Sequence, residues 1–221
     1  MRRGAGTRST LVAAFAATLG LAACGGGSPQ DAKAPSGRFR VSVPIASFPS
    51  FQRLSQHTRL VITVRNDANR TIPDIAVTIC NVTCHWPAPA GEGTSVAAFA
   101  DYLSQPGLAS HSRPVWVIET PPGACGYSCQ NGGEGSAATA DANTWALGPL
   151  RPGHTATFSW RVTAVSPGRH VVAWEVAGDL YGKARAVLAD GSLPHGRFEV
   201  NIATQPALTH VNDAGQVVPG Q

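Results

Sequence analysis

The stretch at 145–179 constrains the fold more than any other part of the chain. Apolar residues alternate with polar ones from Thr155 to Thr163, which is the two-residue period of a strand with one buried face. Pro167 and Gly168 then mark a turn, and a second run rich in Val and Trp follows, both of which favour strands. Two strands alone cannot bury aromatic side chains of this size, so other strands must pack against them.

The alternation assigns each side chain of these two strands to a face. The inward residues of the first strand are Ala156, Phe158, Trp160 and Val162, and those of the second are His170, Val172, Trp174 and Val176. We therefore expect Trp160 and Trp174 to lie in the core. Their expected neighbours are the inward residues of two earlier strands, Leu60, Ile62, Ile75, Val77 and Ile79.

Further runs with strand character surround this central pair. They lie at 38–45, 58–66, 72–80, 183–189 and 197–202, with a short one at 114–119. About seven core strands is the number typical of an immunoglobulin-like (Ig-like) sandwich. The sequence therefore predicts an all-β fold, an Ig-like antiparallel β-sandwich over 38–203, followed by a flexible C-terminal tail at 204–221.

A long insertion at 84–143, rich in Pro, Gly, Ala and Ser, interrupts the alternating pattern. Segments of this length usually carry function or contain structure of their own. Apolar residues at helical spacing predict a helix over 94–104. Aromatic side chains on loops often form binding surfaces, so four of them are candidate partner contacts: Trp86, Phe99, Tyr102 and Trp116. The alternative is that they form a small core covering one end of the sandwich.

The first 23 residues have the pattern of a secretion signal. Arg2, Arg3 and Arg8 precede an apolar segment that is too short to span a bilayer. That segment ends in Leu-Ala-Ala-Cys, which resembles the bacterial lipobox. The resemblance implies cleavage before Cys24 and acylation of its thiol, which would anchor the chain to a membrane. The alternative is an ordinary signal peptide with an unrelated cysteine.

Residues 24–37 lack any apolar period and are predicted to be a flexible tether with a reach of roughly 20 Å. Charge beyond this point is nearly balanced. Removing three arginines with the signal leaves 14 of the 17 Lys and Arg against 13 Asp and Glu, a net charge of +1. Nucleic-acid-binding domains carry concentrated positive charge, so we expect no nucleic-acid partner.

Four cysteines remain after the lipobox, in two C-x3-C pairs: Cys80, Cys84, Cys125 and Cys129. An even number in an exported chain indicates disulfides. A zinc site would more commonly use C-x2-C spacing and needs thiolates, which an oxidising exterior disfavours. Four cysteines allow three pairings. Bonds between the two C-x3-C pairs would close longer loops and therefore stabilise more than bonds within each pair.

No motif for catalysis or for a cofactor is present. The seven histidines form neither HExxH nor HxxxH, and no GxSxG occurs. Copper β-sandwiches use two His, one Cys and a weak axial ligand, but the only methionine is Met1. We therefore expect no catalytic residues, no metal and no cofactor.

The runs LVITVRNDANRTIPDIAVTI and LGPLRPGHTATFSWRVTAVSPGRHVVAWEV resemble Ig-like modules of bacterial surface proteins, the CARDB type among them. The resemblance implies a non-enzymatic module, with no catalytic residues to carry over. We expect a lipid-anchored lipoprotein on the extracytoplasmic face of a bacterial membrane, where it binds or supports an envelope protein or glycan.

The alternative function is an envelope enzyme or metal carrier with its site in the insertion. Convergence of titratable side chains in one pocket would distinguish it from a binding module. The candidate residues for such a pocket are His85, Glu92, His111, Asp101 and Glu119.

Overall fold

The computed structural model describes residues 35–81, 97–103, 107, 112–123, 137–139, 143–180, 182–215 and 217–219. These residues form strands, turns and irregular segments and contain no helix, which confirms the all-β prediction. In particular, no helix long and apolar enough for a membrane crossing occurs among them. All of the strands belong to one unit of the chain, Lys33–Gln221.

The strands follow one another along the chain. They are β1 (Gly37–Ser47), β2 (Phe51–Leu54), β3 (His57–Asn66), β4 (Ala76–Asn81), β5 (Ala100–Tyr102), β6 (Ser112–Pro114), β7 (Trp116–Thr120), β8 (Ala137–Thr139), β9 (Thr144–Ala146), β10 (Thr155–Ala164), β11 (Gly168–Ala177), β12 (Ala184–Val187), β13 (His195–Pro206), β14 (Thr209–Val211) and β15 (Val217–Pro219).

Two sheets with Ig-like connectivity contain most of these strands. The first sheet has the order β12-β1-β3-β10-β7, and the second has the order β2-β13-β11-β4-β9-β8. Strands β1, β3, β10 and β7 occupy the places of Ig strands A, B, E and D, while β4, β11 and β13 occupy those of C, F and G. The predicted Ig-like sandwich is therefore confirmed by the order of its strands.

Additional strands extend the edges of both sheets. After β1 the chain changes sheets, and β2 pairs in parallel with β13. Strand β12, which lies between β11 and β13 in the chain, pairs in parallel with β1 on the opposite sheet. Strands β8 and β9 continue the second sheet beyond β4. These short additions lengthen the two faces without changing the Ig-like centre.

The core lies between the two sheets, as the alternation predicts. Trp160 is fully buried and Trp174 is 6% exposed, and both belong to one apolar cluster with the inward residues of β3 and β4. Trp174 fits because Gly196 faces it across the strand pair, where a Cβ would lie 2.6 Å from the indole ring. The expected burial of both tryptophans is confirmed.

The helix predicted over 94–104 is wrong for the described part of that range, where Ala100–Tyr102 forms strand β5 and pairs with β6. Phe99 has a φ of 62°, a left-handed conformation that an α-helix does not contain. Its carbonyl accepts hydrogen bonds from the backbone N–H groups of Val115 and Trp116. Tertiary packing of the Phe99 ring therefore overrides the local helical spacing.

More regular structure follows 203 than the prediction of a flexible tail implies. Strand β13 continues to Pro206, where it pairs with the end of β2. Strands β14 and β15 then pair antiparallel with each other. This hairpin could not be predicted from the sequence, because each of its strands has only three residues, too few to show an alternating pattern.

Asn66 fixes the turn that ends β3. Its side chain is fully buried, and Nδ2 donates to the carbonyls of Arg70 (3.0 Å) and Leu150 (2.7 Å). Its Oδ1 accepts from the N–H of Ala68 at 2.9 Å. One side chain thus ties the turn after β3 to the segment that leads into β10.

Asn66→Ala should lower the free energy of unfolding by roughly 1–3 kcal/mol. It leaves the partly buried Ala68 N–H without its acceptor and removes one of the two hydrogen bonds that the buried Leu150 carbonyl accepts, the other coming from the Ile72 N–H. Chemical denaturation measures this loss. The matched control is Asn69→Ala, an exposed position in the same turn, which should change stability by less than about 0.5 kcal/mol. Equal losses in both variants would contradict the role assigned to Asn66.

Candidate functional site

Most of the lipidation and disulfide candidates lie outside the described residues, namely Cys24, Cys84, Cys125 and Cys129. Cys80 is the penultimate residue of β4 and is disulfide-bonded. The cysteine that pairs with it therefore also lies outside the described part of the chain, and the pairing of the four remains a prediction. His85, Glu92 and His111, candidates for a titratable pocket, likewise lie outside it.

The proposed aromatic contacts divide between core and insertion. Phe99 is 2% exposed and Trp116 is 3% exposed, and both belong to the main apolar cluster. In this conformation they offer no surface to a partner. Trp86 lies outside the described residues, and Tyr102 is the last residue of β5.

Packing of these two aromatics joins the insertion to the sandwich. The ring of Phe99 lies 6.4 Å from that of Trp116 and 6.3 Å from that of Trp160, in edge-to-face arrangements. Trp116 Nε1 donates to Oε1 of the fully buried Gln52 at 2.7 Å. The described part of the insertion is thus a structural element of the domain.

His170 and Asp101 form a second connection between the insertion and the second sheet. The His170 side chain is 8% exposed, and its Nδ1 lies 2.7 Å from Asp101 Oδ2. Its Nε2 is buried without a hydrogen-bond partner among the described residues. The ring also packs edge-on against Trp116, with centroids 5.7 Å apart. This pair holds β5 against β11.

A group of four polar side chains in mutual contact lies on the solvent-facing side of the first sheet, where three strands meet. His57 comes from β3, Glu119 from β7, and Arg161 and Thr163 from β10. Glu119 Oε1 accepts hydrogen bonds from Thr163 and His57, and Oε2 lies 2.7 Å from Arg161 Nε. The register that pairs Thr163 with both His57 and Val117 brings these residues together.

This group does not have the geometry of a nucleophilic triad. A triad places the hydroxyl on one ring nitrogen and the carboxylate on the other. Here Thr163 Oγ1 lies 2.9 Å from His57 Nδ1, and Glu119 contacts the same nitrogen. His57 therefore cannot relay a proton from Thr163 to Glu119 across its ring.

Glu119 and Asp101 also do not share a pocket. Glu119 contacts His57 on the first sheet, whereas Asp101 contacts His170 on the second. Among the described residues, no three His, Cys, Asp or Glu side chains come close enough to hold a metal ion. Each of these two carboxylates thus pairs with a histidine of another strand.

Arg161 of this group also faces a second arginine across the sheet. Arg59 of β3 lies directly opposite Arg161 of β10. Like charges in this arrangement destabilise a sheet. Only Arg161 has a carboxylate partner among the described residues, and a shallow cavity of about 300 Å³ lies beside both guanidinium groups. The hydroxyl-bearing residues Thr157 and Ser159 also line this cavity.

These two arginines belong to a larger basic surface, which we define as the basic face. It is the solvent-facing side of the first sheet, and its arginines are Arg38, Arg40, Arg59, Arg65, Arg161 and Arg185. Glu119 is the one acidic residue on the strands of that sheet. The basic face was not predicted from the sequence, because the net charge of +1 for the chain after the signal segment sums the charges of both sheets.

A second, larger cavity of about 540 Å³ lies where the Ile72–Leu150 bridge joins two loops. Ile75 and Leu147 line it together with the exposed Arg151 and His154. The described residues that line it include no acidic side chain, and so no acid–base pair suited to proton transfer.

Comparison with protein-family models and with curated protein sequences finds no match. Several solved structures are similar to parts of the chain. Native alpha-2-macroglobulin of Escherichia coli is 12% identical with a TM-score of 0.37, over 79% of this chain and 8% of that one. The CARDB domain of the Pyrococcus furiosus PF1109 protein is 8% identical with a TM-score of 0.36, and the match covers 75% of this chain and 86% of that one. The PapD-like domain 7 of human CEP192 is 10% identical with a TM-score of 0.35, over 93% and 100%.

The chain thus spans under a tenth of the macroglobulin. At these identities and scores the similarity gives no information on activity or partners.

The environment of Glu119 predicts a pH-dependent contribution to stability. Desolvation by itself would raise its pKa, but hydrogen bonds from Thr163 and His57 and Coulomb interactions with His57 and Arg161 together hold the pKa of Glu119 below its usual 4.5. A carboxyl group whose pKa is depressed in the folded state stabilises the fold above its unfolded pKa. This stabilisation is lost as the pH falls through the folded value.

Glu119→Gln should therefore lower the unfolding midpoint at neutral pH, and the difference from wild type should vanish as the pH falls well below 4.5. Thermal unfolding between pH 7 and pH 2.5 measures it. Glu199→Gln removes one negative charge from the second sheet and controls for net charge. A difference from wild type that persists unchanged at pH 2.5 would contradict the stabilising role of the ionised Glu119.

Proposed function

We propose that the protein is a lipid-anchored module on the extracytoplasmic face of a bacterial membrane, where it binds or supports an envelope partner and catalyses no reaction. The order of segments carries this proposal. An apolar signal ends in Leu-Ala-Ala-Cys at Cys24, a Gly-rich tether follows, and an Ig-like sandwich begins at β1. Acylation at the first residue of the tether would leave the sandwich free to move near the lipid headgroups.

The chemistry of the sandwich supports a binding or structural role. Two described histidines, His57 and His170, contact carboxylates and join strands to each other, and the Thr163 hydroxyl lacks triad geometry. Ig-like sandwiches serve many functions, so the role must come from surfaces and anchors. The partner we propose is an envelope protein or glycan, and Trp86 and Tyr102 of the insertion remain its proposed contacts.

Cys24→Ala should prevent acylation and either release the protein from the membrane or stop processing of its signal. The exported protein should carry the mass of a chain that begins at an acylated Cys24, and it should partition into the detergent phase. Ser28→Ala, four residues further along the tether, is the matched control and should behave as wild type. An unmodified Cys24, or a wild-type protein that stays in the aqueous phase, would contradict the proposal.

A further inference from the structure

Arginine is segregated between the two faces of the sandwich. The strands of the first sheet carry six arginines and one glutamate, as described for the basic face. The strands of the second sheet carry three arginines and two glutamates, namely Arg53, Arg169, Arg197, Glu175 and Glu199. The formal charge of the strands is therefore +5 on one sheet and +1 on the other.

Intramolecular pairing leaves most of the basic face without a counter-charge. Arg65 and Arg161 have carboxylate partners, at 2.9 and 2.7 Å. Two further arginines donate only to backbone carbonyls. Arg59 and Arg185 have no hydrogen-bond or ion-pair partner among the described residues. The charges of Arg59 and Arg185 are therefore not paired within the described part of the fold.

The geometry of the basic face fits an extended surface of negative charge. Its arginines come from four of the five strands of the first sheet, which is about 19 Å wide at the usual strand spacing. Arg59 and Arg161 stand side by side at the cavity of about 300 Å³. Guanidinium groups bind phosphate oxygens through paired N–H donors. An array of phosphate groups would thus neutralise the face.

The position of the proposed anchor identifies the surface that carries those phosphates. The tether leads directly into β1, whose second residue is Arg38 of the basic face. With a reach of roughly 20 Å from Cys24, the tether would keep the sandwich within reach of the headgroup layer, and it joins the sandwich at the basic face. A basic surface near anionic headgroups is attracted to them within about one Debye length.

We propose that the basic face binds anionic phospholipid headgroups and lays the first sheet against the membrane, leaving the second sheet directed away from it. This inference rests on the proposed lipid anchor for its location. The binding itself resides in the arginines and does not need the acyl chains.

The test uses the chain from residue 24 onward with Cys24→Ser, which cannot be acylated and contains every described strand. Sedimentation with vesicles of phosphatidylglycerol and phosphatidylcholine should show binding that weakens with added salt, and pure phosphatidylcholine should not bind. Arg59→Gln/Arg185→Gln should weaken the partition coefficient about 25-fold, at about five-fold per arginine near the surface. Both side chains lack partners among the described residues, so the unfolding midpoint should not fall.

The matched control is Arg53→Gln/Arg169→Gln, which removes the same charge from the second sheet and should leave partitioning nearly unchanged. Equal weakening by both pairs would reduce the effect to net charge and overturn the inference. Absence of binding to anionic vesicles at low salt would overturn it too. If the chain bound soluble long-chain polyphosphate but not the vesicles, the face would recognise phosphate in solution and not a membrane. None of these outcomes bears on the acylation of Cys24, which the mass of the exported protein decides separately.

Discussion

The pairing of β3 with β10 is the constraint on which the rest of the structure depends. Nine consecutive residue pairs join the two strands, from Thr155 opposite Arg65 to Thr163 opposite His57. This register directs Phe158 and Trp160 into the core and Arg161 toward solvent. A shift of one residue would exchange the two sets, burying charges and exposing aromatic rings. The core and the basic face therefore share one cause.

The alternating strands could be predicted from the sequence, because alternation is a local property that burial reinforces. Strands β9 and β2 could not, since three or four residues carry too little pattern and the pairings of β9 with β4 and of β2 with β13 join segments that are distant in the chain. Phe99 shows the opposite failure, in which a local helical spacing was present but tertiary packing decided the outcome.

The basic face shows a further limit of sequence reasoning. Alternation assigns Arg59, Arg65 and Arg161 to the outward face of their strands. It does not show that Arg38 and Arg185 lie beside each other, because that follows from the parallel pairing of β1 with β12, two strands far apart in sequence. The near balance of acidic and basic residues in the composition therefore gave no indication of the basic face, which depends on how the strands pair. The contact of Asp101 with His170 could not be predicted either, because no sequence motif relates these two residues.

The orientation of the sandwich at a membrane tests this account most directly. Amide signals of the unacylated chain can be recorded by NMR in anionic bicelles that contain a lipid with a nitroxide headgroup. The account predicts strong broadening for the Arg59 and Arg161 amides and little for Arg197 and Glu199 on the opposite sheet. Equal broadening on both sheets, or stronger broadening on the second, would contradict it.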